Sequence, residues 1–178
     1  MSGQSRPRAV RRDGLIDLGA VLVLLATALA GFAPSFAGLG YVRAAAGGAL
    51  LGLGLAWFGA SRAWPLLTTA AATIVGYVVA GGPLAVPGSA IAGVIPTLET
   101  LRQLLLGAVT SWKGMLTVSP PVDAFPELMV VPFLASLVAA VVSGSLALRA
   151  RRPAWALVPS GVLLVGVILL GTAQPVWP

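Results

Sequence analysis

From Leu15 to Phe32 the chain runs for 18 residues with a single charged side chain, Asp17. Comparable runs return near Ala44–Ala60, Pro65–Ala80, Pro126–Leu148 and Ala154–Thr172, where Glu127 is the one further charge. As a helix rising about 1.5 Å per residue, such a run reaches most or all of the way across a hydrocarbon core about 30 Å thick. Most of the runs are apolar on every side, so no water-facing stripe can be drawn on them. With 58% hydrophobic and 9% charged residues, the chain lies far from soluble domains, which carry about 25% charge. The expected fold class is all-α: a polytopic helical membrane protein with about five transmembrane helices.

The formal charge of +6 does not mark a nucleic-acid surface. Arg6, Arg8, Arg11 and Arg12 precede the first run, and Arg149, Arg151 and Arg152 lie between the last two. Clusters of this kind orient spans, holding their basic loops in the cytoplasm. The expected partner is the lipid bilayer, with no nucleic acid. All basic residues but Lys113 are arginine, a bias that points to a GC-rich, bacterial genome. The sequence has no cysteine and no histidine, which removes disulfides, thiol chemistry and the commonest general base and metal ligand.

Taken in order, residues 1–12 read as a disordered basic cytoplasmic tail. Residues 13–80 hold three transmembrane helices, the first capped by Asp13 and ended by Pro34. Asp17, one turn inside, reads as a carboxylate favoured by the helix dipole and the nearby arginines. Residues 81–125 form an extracytoplasmic loop, entered through a helix break at Gly81-Gly82-Pro83. Residues 126–172 supply two more spans, with kinks expected at Pro132 and Pro159, and 173–178 form an outward-facing end. Closing on Val-Trp-Pro without a polar tail, the chain reads as a module whose next element follows.

In the second run Ala44, Gly48, Gly52 and Ala56 fall four apart, and in the fourth Ser136, Ala140 and Gly144 do the same. Ridges of small residues let helix backbones approach closely inside a membrane, so both are expected to pack helices. Thr69, Thr73 and Tyr77 place hydroxyls on one stripe of the third run. Such a stripe either lines a polar path or bonds to neighbouring backbone, and the second is the expectation.

Thr97 to Pro132 is the one stretch with mixed chemistry. After Pro96, Thr97 starts a helix with Glu99 in its first turn. Over 97–113, Leu98, Leu101, Leu105, Ala108 and Trp112 share one face, while Glu99, Arg102, Gln103, Thr110 and Lys113 share the other. That is the period of an amphipathic helix lying in an interface. Charge separates this from a sixth crossing. Lying flat on the outer face, it leaves eight basic residues inside and three outside, namely Arg43, Arg102 and Lys113. Crossing would strand Arg102 in the bilayer at a cost of about 2.5–3.5 kcal/mol. Glu99, Arg102, Trp112 and Lys113 are the candidate docking surface on this helix.

No catalytic, cofactor-binding or metal-binding constellation is legible: there is no Walker A pattern and no Rossmann fingerprint in a βαβ setting. The segment LRQLLLGAVTSWKGMLTVSPPVDAFPELMVVPF, followed by a span and ALRARRPAWALVP, resembles the N-terminal transmembrane region of bacterial transglutaminase-like membrane proteins. Ser111-Trp112-Lys113 through Pro121 is its most specific part. The resemblance implies a multi-span platform in the plasma membrane, whose N-terminus the charge count places in the cytoplasm. It implies also a downstream extracytoplasmic domain of papain-like fold with a Cys-His-Asp site. No triad residue carries over, since this chain has neither Cys nor His. The expected role is therefore non-catalytic anchoring of such a domain, with no cofactor. The alternative is a small transport or channel subunit using the hydroxyl stripe.

Overall fold

The computed structural model describes residues 12–33, 36, 40–86, 97–117, 126–150 and 153–170, and the side chains within 16–111, 128–150 and 154–169. The tail 1–11, Pro34, the link 87–96, the Pro120-Pro121 linker and the 173–178 end lie outside these residues. Six helices follow in order: α1 (Arg12–Ala30), α2 (Gly40–Ser61), α3 (Leu66–Ala85), α4 (Leu98–Thr117), α5 (Val130–Arg149) and α6 (Leu157–Leu170). Single 3-10 turns, Pro126–Met129 and Pro153–Ala156, lead into α5 and α6. The described residues contain no strand. Three of the helices, Gly40–Ser61, Leu66–Ala85 and Val130–Arg149, are long and apolar enough to cross a membrane; Ile16–Ala30 and Ala154–Leu169 are shorter apolar helices.

α5 is the centre of the bundle and touches every other helix. One side of it, with Val131, Ala139, Ala140 and Ala147, packs into a cluster with Val21, Leu25 and Phe32 of the α1 region and Val167 of α6. The other side, with Val130, Phe133, Leu137 and Val141, joins Ala44, Tyr77 and Leu104 from α2, α3 and α4. Its most extensive partner is α2, and the reason is legible atom by atom. A Cβ on Gly48 would sit 2.5 Å from the Phe133 carbonyl oxygen, and one on Gly52 would sit 2.7 Å from that of Leu137. One on Gly144 would meet the Ala56 Cβ at 2.8 Å. The two small ridges therefore face each other, and glycine is required where the backbones nearly touch.

The same contacts give direction. Gly48 meets Ser136, Gly52 meets Ala140 and Ala56 meets Gly144, so α2 and α5 run parallel. Against α2, α3 runs antiparallel, with Gly47 at Leu84, Gly76 at Leu51 and Leu55, and Gly59 at Thr69. Leu18 of α1 lies near Gly144, and Gly31, just past α1, meets Val167 of α6. α1 is thus antiparallel to α5 and parallel to α6. One end of the bundle gathers Arg62 and Arg149; the other gathers Arg43, Glu99 and Arg102.

Three local expectations are corrected. α3 does not break at Gly81-Gly82-Pro83 but continues to Ala85 with Pro83 inside it. Gly81 and Gly82 offer their carbonyls to the Val86 N–H, each at 3.1 Å, and Gly81 admits the Leu104 side chain, whose Cδ2 lies 2.8 Å from where a Cβ would be. Pro132 and Pro159 do not kink α5 and α6, because each falls in the first turn of its helix. With no N–H, Pro132 cannot bond the Leu128 carbonyl nor Pro159 that of Trp155, so the α ladder starts there and the preceding residues wind as 3-10 turns. Finally, α1 begins at Arg12, which puts Asp13 in the first turn rather than at the cap, where a carboxylate still complements the helix dipole.

The glycines separate into two kinds, and substitution distinguishes them. Gly52→Ala forces a methyl into backbone and is expected to cost about 1–3 kcal/mol. A Cβ at Gly54 meets nothing within 4 Å, so Gly54→Ala is expected to be neutral or to gain up to about 1 kcal/mol of helix propensity. Thermal unfolding of the two variants in detergent measures the contrast.

Candidate functional site

The candidate surface sits on α4, whose start is fixed by a reciprocal cap. Thr97 Oγ1 accepts from the Thr100 N–H at 3.1 Å, and Thr100 Oγ1 accepts from the Thr97 N–H at 3.1 Å. This is the capping-box arrangement with threonine in the place usually held by Glu or Gln. It follows from the short Thr-x-x-Thr spacing after Pro96, and it sets the rotation of everything downstream on the helix.

That rotation adds a third, protein-facing side to the two faces read from periodicity. Thr100, Leu104, Gly107 and Ser111 are the buried positions, whereas Leu98 and Leu105 are 84% and 57% exposed. Leu104 drops into the notch left by Gly81, and Gly107 lies against Val130, whose Cγ2 would be 3.1 Å from an added Cβ. The Tyr77 hydroxyl donates to the Leu104 carbonyl at 2.7 Å, and its ring stacks on Phe133 at 5.8 Å. α4 is three-sided as a result. A small and partly polar side faces the bundle, an apolar side carries Leu98, Leu105 and Val109, and a polar side carries Glu99, Gln103 and Thr110. The sequence signal for the inner side was the spacing of Thr100, Leu104, Gly107 and Ser111, which a scale of hydrophobicity passes over.

Glu99 and Arg102 are brought together on the exposed surface. Arg102 lies 3.8 Å from the Glu99 carboxylate, with side chains 71% and 55% exposed respectively, and Gln103 donates to Glu99 at 3.1 Å. Such exposed pairs contribute at most about 1 kcal/mol, so both charges remain available to a partner. Trp112 and Lys113 fall within α4, but their side chains lie outside the described residues. Asp17 is half-buried on α1, far along the bundle from Glu99.

The hydroxyl stripe of α3 is committed to backbone. Thr69 Oγ1 donates to the Pro65 carbonyl at 3.2 Å and Thr73 Oγ1 to that of Thr69 at 2.8 Å, while Tyr77 reaches across to α4. Another buried hydroxyl pair, Ser143 and Ser160 at 3.0 Å, joins α5 to α6.

At the opposite end the structure adds a feature that the sequence did not announce. α2 closes in a Schellman motif: the Trp64 N–H bonds the Gly59 carbonyl at 2.9 Å and the Ala63 N–H that of Ala60 at 3.2 Å. Trp64 packs edge-on against Phe58 at 5.2 Å, the contact that accompanies such caps. Ala63 takes the left-handed conformation, φ 51°, where glycine is usual. Arg149, at the end of α5, then donates to the Trp64 carbonyl at 2.7 Å. This ties the α2–α3 turn to the central helix.

A comparison with family models, curated proteins and solved structures finds no match to this chain. The functional reading therefore rests on the geometry and on the sequence itself.

Two substitutions test the two ends. Tyr77→Phe is expected to cost about 1 kcal/mol, within the range of hydrogen bonds between membrane helices, and to raise hydrogen exchange in α4 more than in α2. Ala63→Gly relieves the left-handed strain and is expected to raise stability by about 1 kcal/mol, read as an increase in Tm.

Proposed function

We propose that this chain is a five-span helical scaffold of the plasma membrane, with its N-terminus in the cytoplasm and α4 on the outer face. The carrying observation is the parallel packing of α2 and α5. Two parallel spans require an odd number of crossings between them. α3 supplies one, and α4 therefore supplies none. The lengths of the outer members support this count. α1 has 19 residues, about 28 Å of helix. α6 with its 3-10 turn has 4 and 14 residues, about 29 Å in all. Both approach the roughly 30 Å of hydrocarbon.

The surface of the bundle supports a bilayer setting. α3 exposes Leu66, Leu67, Ile74, Val75 and Val79, and α6 exposes Val162, Val165, Ile168 and Leu169. Continuous apolar surfaces of this extent are not kept in water by soluble monomers. With Arg62 and Arg149 at the cytoplasmic end, the orientation follows the excess of basic residues on that side.

The role of the scaffold is the anchoring and presentation of an extracytoplasmic transglutaminase-like domain of papain fold. The resemblance centred on Ser111 to Pro121 supports it. α4 is the element placed to meet such a domain, through Glu99 and Arg102 with Trp112 and Lys113 further along. Transport through the α3 stripe is the weaker reading, since Thr69, Thr73 and Tyr77 have already spent their donors on backbone carbonyls.

Topology and role have separate tests. In the cysteine-free background, Thr110→Cys is expected to react with an impermeant maleimide added to intact cells, and Ser61→Cys only after permeabilisation. The reverse pattern rejects the orientation. For the role, the reading frame past codon 178 is expected to continue into a polar stretch with Cys, His and Asp. A stop codon there rejects the anchoring of a domain in the same protein.

A further inference from the structure

α1 and α2 are consecutive, yet they diverge: α1 packs mainly on α5 and α6, and α2 on α5. A groove of about 400 Å³ is left between them. Its floor is Leu25, Leu29, Ala45 and Ala49, all buried. Leu22, Val42 and Leu50 form rims that are 41%, 42% and 63% exposed, so it opens sideways. Tyr41 closes the end, backed by the Phe36 ring at 5.3 Å, and its hydroxyl is the one polar side-chain group of the lining. Arg43, one residue beyond Val42, is exposed and has no ion-pair partner among the described residues.

We infer that this groove holds one acyl chain of an anionic phospholipid, drawn from the leaflet at the Arg43 end, with Arg43 pairing to the headgroup phosphate. The inference rests on the membrane-spanning reading above, which puts the groove mouth against lipid. Size selects the occupant. The lining runs from Leu22 to Ala30 along α1, about 12 Å at the helical rise, close to the roughly 15 Å depth of one leaflet. An extended chain fits, and the alanine floor at Ala45 and Ala49 provides the slot. Charge selects the headgroup. Arginine carries its apolar stem along the hydrocarbon and its guanidinium to the interface, where it takes phosphate in a bidentate grip.

The full chain in phosphatidylethanolamine vesicles, doped with phosphatidylglycerol that bears a diazirine on its acyl chain, provides the test. After irradiation, peptide mass spectrometry is expected to find adducts on Leu22–Ala30 and Tyr41–Leu50 at least fivefold above those on the exposed α3 face at Ile74 to Val79. Ala46→Trp, at an exposed lining position, is expected to cut groove adducts severalfold while leaving α3 adducts and helix content unchanged. Arg43→Gln is expected to lower labelling by phosphatidylglycerol about threefold and labelling by the equivalent phosphatidylcholine less, because its choline cation already offsets the phosphate charge; an equal fall for both would overturn the selection of an anionic headgroup. Equal labelling of groove and α3 face would overturn the inference alone, as would cross-linking of groove residues to a second copy. Release of the chain by a carbonate wash would overturn the membrane reading with it.

Discussion

The contact on which the rest of the bundle depends is the approach of α2 to α5 at Gly48 and Gly52, where missing methyl groups let one backbone lie on another. In lipid there is no hydrophobic gain from bringing two apolar helices together, because the tails outside are as apolar as the neighbour. What remains is dispersion, which falls off steeply with small gaps, so the closest approach stabilises most. Ser136, Ala140 and Gly144 match the α2 ridge residue for residue, and Ser136 turns its hydroxyl back to the Phe133 carbonyl at 2.9 Å. With that hydroxyl satisfied, the ridge is apolar to its partner and small enough to be crossed closely.

Fixing α5 against α2 in parallel sets the remaining geometry. The segment between them must return the chain to the side from which α2 started, and α3 does this once, alongside α2. α4 is left at the end where α3 finishes and α5 begins. Its contacts agree: Gly81 and Tyr77 lie four and eight residues from the last residue of α3, about 6 and 12 Å in from its end, and Val130 is the first residue of α5. At the other end Arg149 caps the α2–α3 turn, so the central helix holds one hairpin at its tip.

The small ridges, the Thr97 helix start and the apolar runs were legible in the sequence because each depends on local spacing. What was not legible depended on neighbours. Gly81-Gly82-Pro83 carries every mark of a break, yet the helix survives because Leu104 fills the space over Gly81 and Val86 serves both glycine carbonyls. Pro132 looked like a kink only while α5 was thought to begin four residues earlier, at Pro126. The side of α4 that meets the bundle was not read at all, because hydrophobicity ranks Leu98 and Leu105 above Thr100 and Ser111. Position on the helix, not rank, decides which of them meets the bundle.

That protein-facing side has a consequence for the proposed role. A helix that buried Leu98 and Leu105 against protein would have only water on its other side, and it would be an ordinary amphipathic cover. α4 instead gives its small, partly polar side to the bundle and leaves Leu98, Leu105 and Val109 exposed as an apolar strip, which in the proposed topology meets the bilayer surface, with Glu99, Gln103 and Thr110 on a separate edge. In that topology lipid and protein hold the helix from two directions, and the Tyr77 bond to the Leu104 carbonyl opposes its rolling. A partner domain docking on the third side meets charges whose orientation is already set. The ordering cost of binding is reduced where the surface is held beforehand, which is what a presenting platform requires.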